Sequence, residues 1–185
     1  MTELRPAVFL DRDGTLVKER DYLAEADRVE LVSGAADALR ALRNAGFALV
    51  IVTNQSGIAR GMYSGEDYAA VTARLHEMLQ RAGARLDLTL HCAHHPDHTG
   101  PCACRKPQTG MHRRAAEALA LDLAGSYYVG DKISDVLPAL ELGGRGILVR
   151  TGYGRESEGS APVGVAVVDD LAGAARLILD AQAPR

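Results

Sequence analysis

Two aspartates near the start of the chain stand where phosphoryl chemistry could be done. Asp11 and Asp13 flank Arg12, directly after the apolar run Ala7-Val8-Phe9-Leu10 and directly before Gly14-Thr15. One carboxylate can attack an electrophilic centre covalently, and a second can give up a proton and take it back. Residues two apart on extended backbone point the same way, so the pair suits a divalent cation and a phosphoryl group. The plain alternative is a turn, for which Asp and Gly are ordinary material.

A second set of residues has the chemistry of a metal ligand group. Cys92-x-His94 is followed, after seven intervening residues, by Cys102-x-Cys104, so all three cysteines of the chain fall in one short stretch. Three thiolates and an imidazole can close a tetrahedral structural zinc site. The stretch His91 to Pro107 has almost no apolar residues, so a bound metal would supply the order that a core cannot. An odd and crowded cysteine count does not fit a disulfide framework. Three unligated thiols are the other reading; His91, His95 and His98 read as loop histidines, with His95 the one substitute ligand.

These groups need a scaffold, and the apolar pattern provides one. Ala7 to Leu10 reads as a strand buried on both faces. The polar stretch Gly14 to Glu30 is a candidate flap. Ser33 is expected to cap a helix that carries Leu39 and Leu42 inward and closes at Gly46, before a strand over Ala48 to Val52. Ser64 with Asp67 forms a capping-box start for a helix in which Tyr68, Val71, Leu75, Met78 and Leu79 recur until Gly83. A strand over Leu86 to Leu90, a helix over Thr109 to Leu121 and a strand over Tyr127 to Val129 follow. Then come a helix over Asp135 to Leu142, strands over Gly146 to Val149 and Val163 to Val168, and a helix over Leu171 to Ala181. Gly152 to Ser160 reads as a loop. This alternation predicts an α/β fold with a doubly wound parallel sheet. In such a sheet Asp11 with Asp13, Thr53 with Asn54, and Asp131 with Lys132 meet at the carboxyl edge, where ligands bind.

At 185 residues, 47% apolar and 24% charged, the chain is expected to form a single domain (residues 1–185) of cytoplasmic type. A formal net charge of −3 gives no global attraction to nucleic acid. Met1 to Pro6 has no signal pattern, and the longest apolar run, Phe47 to Val52, is too short for a bilayer. The expected partner is a small molecule, with no nucleic acid or membrane, bound by a monomer.

Asp11-Arg12-Asp13-Gly14-Thr15 after a short apolar strand resembles the nucleophile motif of the haloacid dehalogenase superfamily. Thr53, the Lys106 of Arg105-Lys106-Pro107 and Asp131 match its remaining motifs. The resemblance implies a Rossmann-like domain without a large cap, with residues 14–30 as flap and 91–107 as zinc loop. It implies that Asp11 forms an aspartyl phosphate and that Asp13 serves as acid and then base. Mg²⁺ would be held by Asp11, the Asp13 carbonyl and Asp131, with Thr53 and Lys106 on the phosphoryl oxygens. Asp135 is open between holding a metal-bound water and capping a helix so that Pro138 sits in its first turn.

Within the superfamily, Thr53-Asn54-Gln55-Ser56-Gly57-Ile58-Ala59-Arg60-Gly61 and the Cys/His loop resemble phosphatases acting on heptose bisphosphates. The short spacing from His94 to Cys102 is nearer to the histidinol-phosphate phosphatases, which share that loop. The heptose resemblance implies removal of a 7-phosphate from a 1,7-bisphosphate. Arg12, Glu19, Arg20, Asp21, Tyr22, Asn54, Gln55, Ser56, Arg105 and Lys132 would contact the substrate. Histidinol-phosphate hydrolysis is the alternative of the same chemistry. A non-catalytic phosphosugar-binding or zinc-dependent interaction module is the alternative of another class.

Overall fold

The computed structural model describes residues 4–182; the first three residues of the Met1 to Pro6 stretch lie outside them. The elements run β1 (Arg5–Leu10), α1 (Ala35–Asn44), β2 (Ala48–Asn54), α2 (Gly65–Arg81), β3 (Leu88–Cys92), α3 (Pro96–Thr99) and α4 (Gly110–Leu119). They continue with β4 (Leu121–Gly130), α5 (Ile133–Leu142), β5 (Arg145–Val149), α6 (Gly154–Ser157), β6 (Ala166–Val168) and α7 (Leu171–Asp180). The six strands form one sheet in the order β3-β2-β1-β4-β5-β6, and every neighbouring pair is parallel. The chain winds outward from β1 on one side and then returns to wind outward on the other. That leaves β1 at the switch point, where the connections diverge and open a crevice.

Alternate residues of the central strands face opposite layers. Val8 and Leu10 of β1 join Leu49, Ile51 and Val129 beneath α1, α2 and α7. Ala7 and Phe9 join Val50, Val52 and Tyr128 beneath α4 and α5. Coverage on both faces is why β1 reads as an unbroken apolar run.

Several expected boundaries move for identifiable reasons. Ser33 does not cap α1; Gly34, at φ 74°, takes the N-cap position with no side-chain hydrogen bond. The capping box of α2 is present, with Ser64 Oγ accepting from Asp67 N at 3.0 Å and Asp67 accepting from Ser64 N at 2.8 Å. β3 begins two residues later than expected and runs on to Cys92. Leu121 opens β4 instead of closing α4, and β4 spans ten residues. Its register against β1 shifts between Pro6 and Val8. Ser126 Oγ takes the Ala7 N–H there, at 2.8 Å, so the missed ladder bond is replaced by a side chain.

The stretch from Gly14 to Glu30 is pegged to the core more firmly than its polarity implied. Leu16, Val17, Leu23 and Val29 are buried in the larger cluster, and Val17 bridges to Asp13 and Leu31. The turn carrying Glu19, Asp21 and Tyr22 reaches the crevice at the sheet edge. Among the described residues no helix is long and apolar enough to cross a membrane.

Candidate active site

The site is built from four strand ends and the loop that carries Lys106. Asp11 N donates to Val129 O at 2.9 Å, which extends the β1–β4 ladder by one residue and fixes the aspartate at the crevice floor. Lys106 Nζ lies 2.8 Å from Asp11 Oδ1 and 2.8 Å from Asp135 Oδ1, with the lysine side chain 2% exposed. Burial opposes the lysine's charge, but Asp11 and Asp135 outweigh it and its pKa rises above the ordinary lysine value. The loop is held by Asn54, whose Oδ1 accepts from Lys106 N at 2.9 Å and whose Nδ2 donates to Lys106 O at 3.1 Å. Asn54, expected at the substrate, lines the crevice and also holds the backbone of the lysine with its amide.

Asp131 follows β4 and is fully buried. One oxygen, Oδ2, accepts from Tyr153 N at 2.8 Å, while Oδ1 has no hydrogen-bond partner among the described residues. Burial, and then the charges of Asp11 and Asp135, push its carboxyl up to about 8. Oxygens of Asp11, Asp131 and Asp135 all lie within 4.8 Å of one another, a group suited to a hard divalent cation. The backbone must come close to leave this room. A Cβ on Gly14 or Gly152, both at positive φ, would sit 2.2 Å or 2.1 Å from Asp131 Oδ2.

Asp135 is neither of the two things expected of it alone. It is the third residue of α5, where it accepts from Lys132 N at 2.9 Å while also pairing with Lys106. Lys132 is the N-cap residue, and Pro138 lies in the helix interior, beyond the first turn. Burial raises the Asp135 pKa against the opposing pull of Lys106.

Asp13 stands apart from the carboxylate group. Arg12 Nε donates to both of its oxygens, at 3.1 and 3.0 Å, and Gln55 Nε2 donates to Oδ2 at 2.9 Å. Arg12 is 1% exposed, with its guanidinium turned to Asp13 and Gln55. Its Nη1 is buried with no hydrogen-bond partner among the described residues, and the residue lines the crevice beside Asp11. Thr53, at the buried end of β2, accepts from Gln55 Nε2 at 2.9 Å.

Above this floor lies a cavity of about 270 Å³, at the lower end of small-molecule sites. Asp11 and Lys106 line its base; Glu19, Asp21, Tyr22, Ser56, Arg105 and Lys132 line its walls. Glu19 Oε1 accepts from the N–H groups of Arg20 and Asp21, at 3.0 Å each, and its pKa is raised by burial and then by Asp13. Arg20 is turned away and pairs with Glu30 at 2.8 Å, so it leaves the cavity wall. Asp21 and Tyr22 hold φ of 39° and 63°, left-handed values that non-glycine residues adopt at a cost. Each is braced by a side chain across the rim: Tyr153 OH bonds Asp21, and Arg60 bonds the Tyr22 hydroxyl and covers its ring.

Tyr153 and Tyr63 are cavity residues that the sequence pattern did not single out. Tyr153 lies in the stretch read as a plain loop, where α6 in fact forms. It joins three parts of the site: its N–H binds Asp131, its hydroxyl binds Asp21, and its ring lies 4.4 Å beneath Lys132 Nζ. The glycines on either side, Gly152 and Gly154, were the available signal, because each sits where a side chain would collide with backbone or with Asp131.

The four expected zinc ligands converge. Cys92, the last residue of β3, lies with His94 Nδ1 at 3.5 Å, Cys102 at 3.6 Å and Cys104 at 2.9 Å from its sulfur. Cys104 Sγ is 3.2 Å from His94 Nδ1 and 3.4 Å from Cys102 Sγ. No disulfide joins the three cysteines. His95 lies outside the group, with its Nδ1 accepting from Asp97 N at 3.2 Å as the N-cap of α3. Arg105 leaves the cluster directly, and its guanidinium donates to His94 O at 3.2 Å.

The HAD-hydrolase-like family profile matches residues 103–174. The D-glycero-beta-D-manno-heptose-1,7-bisphosphate 7-phosphatase of Yersinia pestis is 46% identical over 167 residues, spanning 87% of this chain and 89% of that protein. The enzyme of the same name from Escherichia coli K12 is 42% identical over 158 residues, spanning 82% and 83%. A crystal structure of D,D-heptose 1,7-bisphosphate phosphatase from B. bronchiseptica, complexed with magnesium and phosphate, superposes with a TM-score of 0.88. It is 35% identical and covers 95% of this chain and 99% of its own. Similarity of this extent, over nearly the full length of each relative, makes the chain a member of the D-glycero-beta-D-manno-heptose-1,7-bisphosphate 7-phosphatase family of haloacid dehalogenase-like phosphatases, and so a phosphoric monoester hydrolase.

Proposed function

We propose that this chain removes the 7-phosphate of D-glycero-D-manno-heptose 1,7-bisphosphate through an aspartyl phosphate on Asp11. The observation that carries the reading is the buried contact between Lys106 and Asp11, 2.8 Å apart at the base of a cavity open to a small ligand. A cation beside the nucleophile draws the phosphoryl oxygens to the attacking carboxylate, and phosphoryl transfer is mostly positioning and charge neutralisation. Asp11 attacks phosphorus as the ester bond breaks, and Asp13 protonates the departing sugar oxygen. Asp13 then takes a proton from the water that releases phosphate from Asp11. Thr53 and Lys106 serve the phosphoryl oxygens.

The carboxylate group fits a magnesium ion, because Asp131 Oδ1 is buried without a partner and hard oxygen donors surround it. Asp11, the Asp13 carbonyl and Asp131 would hold it, and when bound it supplies positive charge against the phosphoryl oxygens. Cys92, His94, Cys102 and Cys104 fit a structural zinc, with three sulfurs and one nitrogen all within 4.8 Å of one another. That zinc would anchor Arg105 and Lys106, which follow Cys104 directly. Arg105 and Lys132, on the cavity wall, remain for the second phosphate. The enzyme acts as a cytoplasmic single-domain monomer without nucleic-acid or membrane partners.

The test is phosphate release across a panel of heptose, hexose and histidinol phosphates. The heptose bisphosphate is expected to give the highest kcat/KM. A value for histidinol phosphate equal to it or greater would overturn the substrate assignment and leave the phosphatase chemistry standing.

A further inference from the structure

Gln55 has no hydrogen bond left to give a substrate. A glutamine side chain can accept two hydrogen bonds at its oxygen and donate two from its nitrogen. Here Oε1 accepts from Arg12 at 3.0 Å and from Tyr63 OH at 2.6 Å. Nε2 donates to Thr53 Oγ1 and to Asp13 Oδ2, each at 2.9 Å. The orientation of the amide is forced, because a guanidinium only donates and must meet the oxygen. Burial pushes the Tyr63 phenol up to about 12, so it stays protonated and donates. Room for that ring depends on Gly57, where a Cβ would lie 2.2 Å from Tyr63.

Arg12 closes on Asp13 from the other side with Nε on both carboxylate oxygens. The arginine is itself braced by the Tyr68 ring, 5.5 Å from its guanidinium carbon. Asp13 is thus gripped by two donors whose own positions are fixed by further hydrogen bonds. A saturated amide in such a network cannot read a sugar hydroxyl without surrendering a buried partner.

We infer that Gln55, oriented by Tyr63, is a positioning residue that sets the Asp13 carboxyl at the angle for proton transfer to the departing ester oxygen. The inference rests on the reading of Asp13 as proton donor. In that step an Asp11 oxygen forms its bond to phosphorus, the phosphorus–oxygen ester bond breaks, and the Asp13 proton passes to the ester oxygen. A leaving group that is stable as an anion needs that proton less.

The test compares phenyl phosphate with para-nitrophenyl phosphate, neither of which carries a sugar to contact. Only kcat/KM is used, since it covers the ester-cleaving step and not the later hydrolysis that the two esters share. In Gln55→Met the preference for the nitrophenyl ester is expected to widen by about tenfold, a fraction of what a general acid contributes. Tyr63→Phe should widen it in the same direction by about threefold, and keeps the test alive if Gln55→Met fails to fold. Asp13→Ala, run alongside, should widen it at least as much as Gln55→Met. A preference unchanged in the Gln55 and Tyr63 variants but widened in Asp13→Ala would overturn the inference alone. A preference unchanged in Asp13→Ala would overturn the proton-donor reading and the inference with it.

Discussion

Lys106 Nζ sits 2.8 Å from Asp11 Oδ1 across 95 positions of sequence, and both groups are almost closed to solvent. Removing the cation would strand Asp11 and Asp135 together in a buried site. Lys106→Met is therefore expected to lower stability by about 3–5 kcal/mol, the range for breaking one partner out of a buried ion pair. Urea unfolding near neutral pH measures it, and a loss below about 1 kcal/mol would contradict the ion pair as drawn.

Asp11→Asn keeps the volume of the side chain and removes its charge as a nucleophile. Turnover should fall at least about 10³-fold with the circular dichroism spectrum unchanged. Activity within tenfold of the parent enzyme, in folded protein, would take the nucleophile's role away from Asp11.

Asp131 gives the metal-free protein a dependence on pH whose sign can be worked out. Its folded-state carboxyl is raised to about 8 from an ordinary value of 3.8 by burial and then by the Asp11 and Asp135 charges. The stability it contributes is fully present below the ordinary value and is lost as pH rises through the folded one. A cation needs the ionised form and competes with that proton. The rise in melting temperature on adding magnesium should then be larger at about pH 8 than at about pH 5. A rise independent of pH would count against Asp131 as a ligand.

The cysteine cluster should carry about one zinc per chain. Cys102→Ser or Cys104→Ser should release it while the sheet keeps its far-ultraviolet spectrum, because both core clusters are closed by strands and helices outside that loop. Metal analysis that finds no zinc in protein purified without chelators would refute the site.

Arg105 faces the cavity from the residue next to Lys106. Arg105→Ala should narrow the discrimination between a sugar bisphosphate and the matching monophosphate by roughly 1.5–3 kcal/mol, the worth of a charge-assisted contact. Competitive kinetics with the two substrates measures this. An unchanged ratio would move the second phosphate elsewhere on the wall.

The sheet was readable because its central strands are covered on both faces and so appear as bare apolar runs that stop at polar residues. The start of α2 was readable because a capping box is a local event. The first half of β4 was not: Leu121 to Ser126 pairs across a register shift, where the Ser126 hydroxyl stands in for a ladder bond. Arg12 reads in the sequence as a substrate contact, and only the fold brings Gln55 from 43 positions away to share in its burial. Tyr153 was hidden for a related reason. It meets Asp131 through its backbone N–H, a contact that leaves no mark on residue type.

β3 is an outer strand of the sheet and ends at Cys92, inside the sulfur cluster. An outer strand offers a row of unpaired backbone groups to any neighbouring chain, and proteins cover such rows to stay apart. Cys102 and Cys104 tie the returning loop to Cys92 at the end of that row. A zinc bound there would hold that tie, and its removal would loosen the end of a template for strand addition. Chelated protein should therefore self-associate at concentrations where the metal-loaded form stays dispersed, and light scattering would register this with no substrate present.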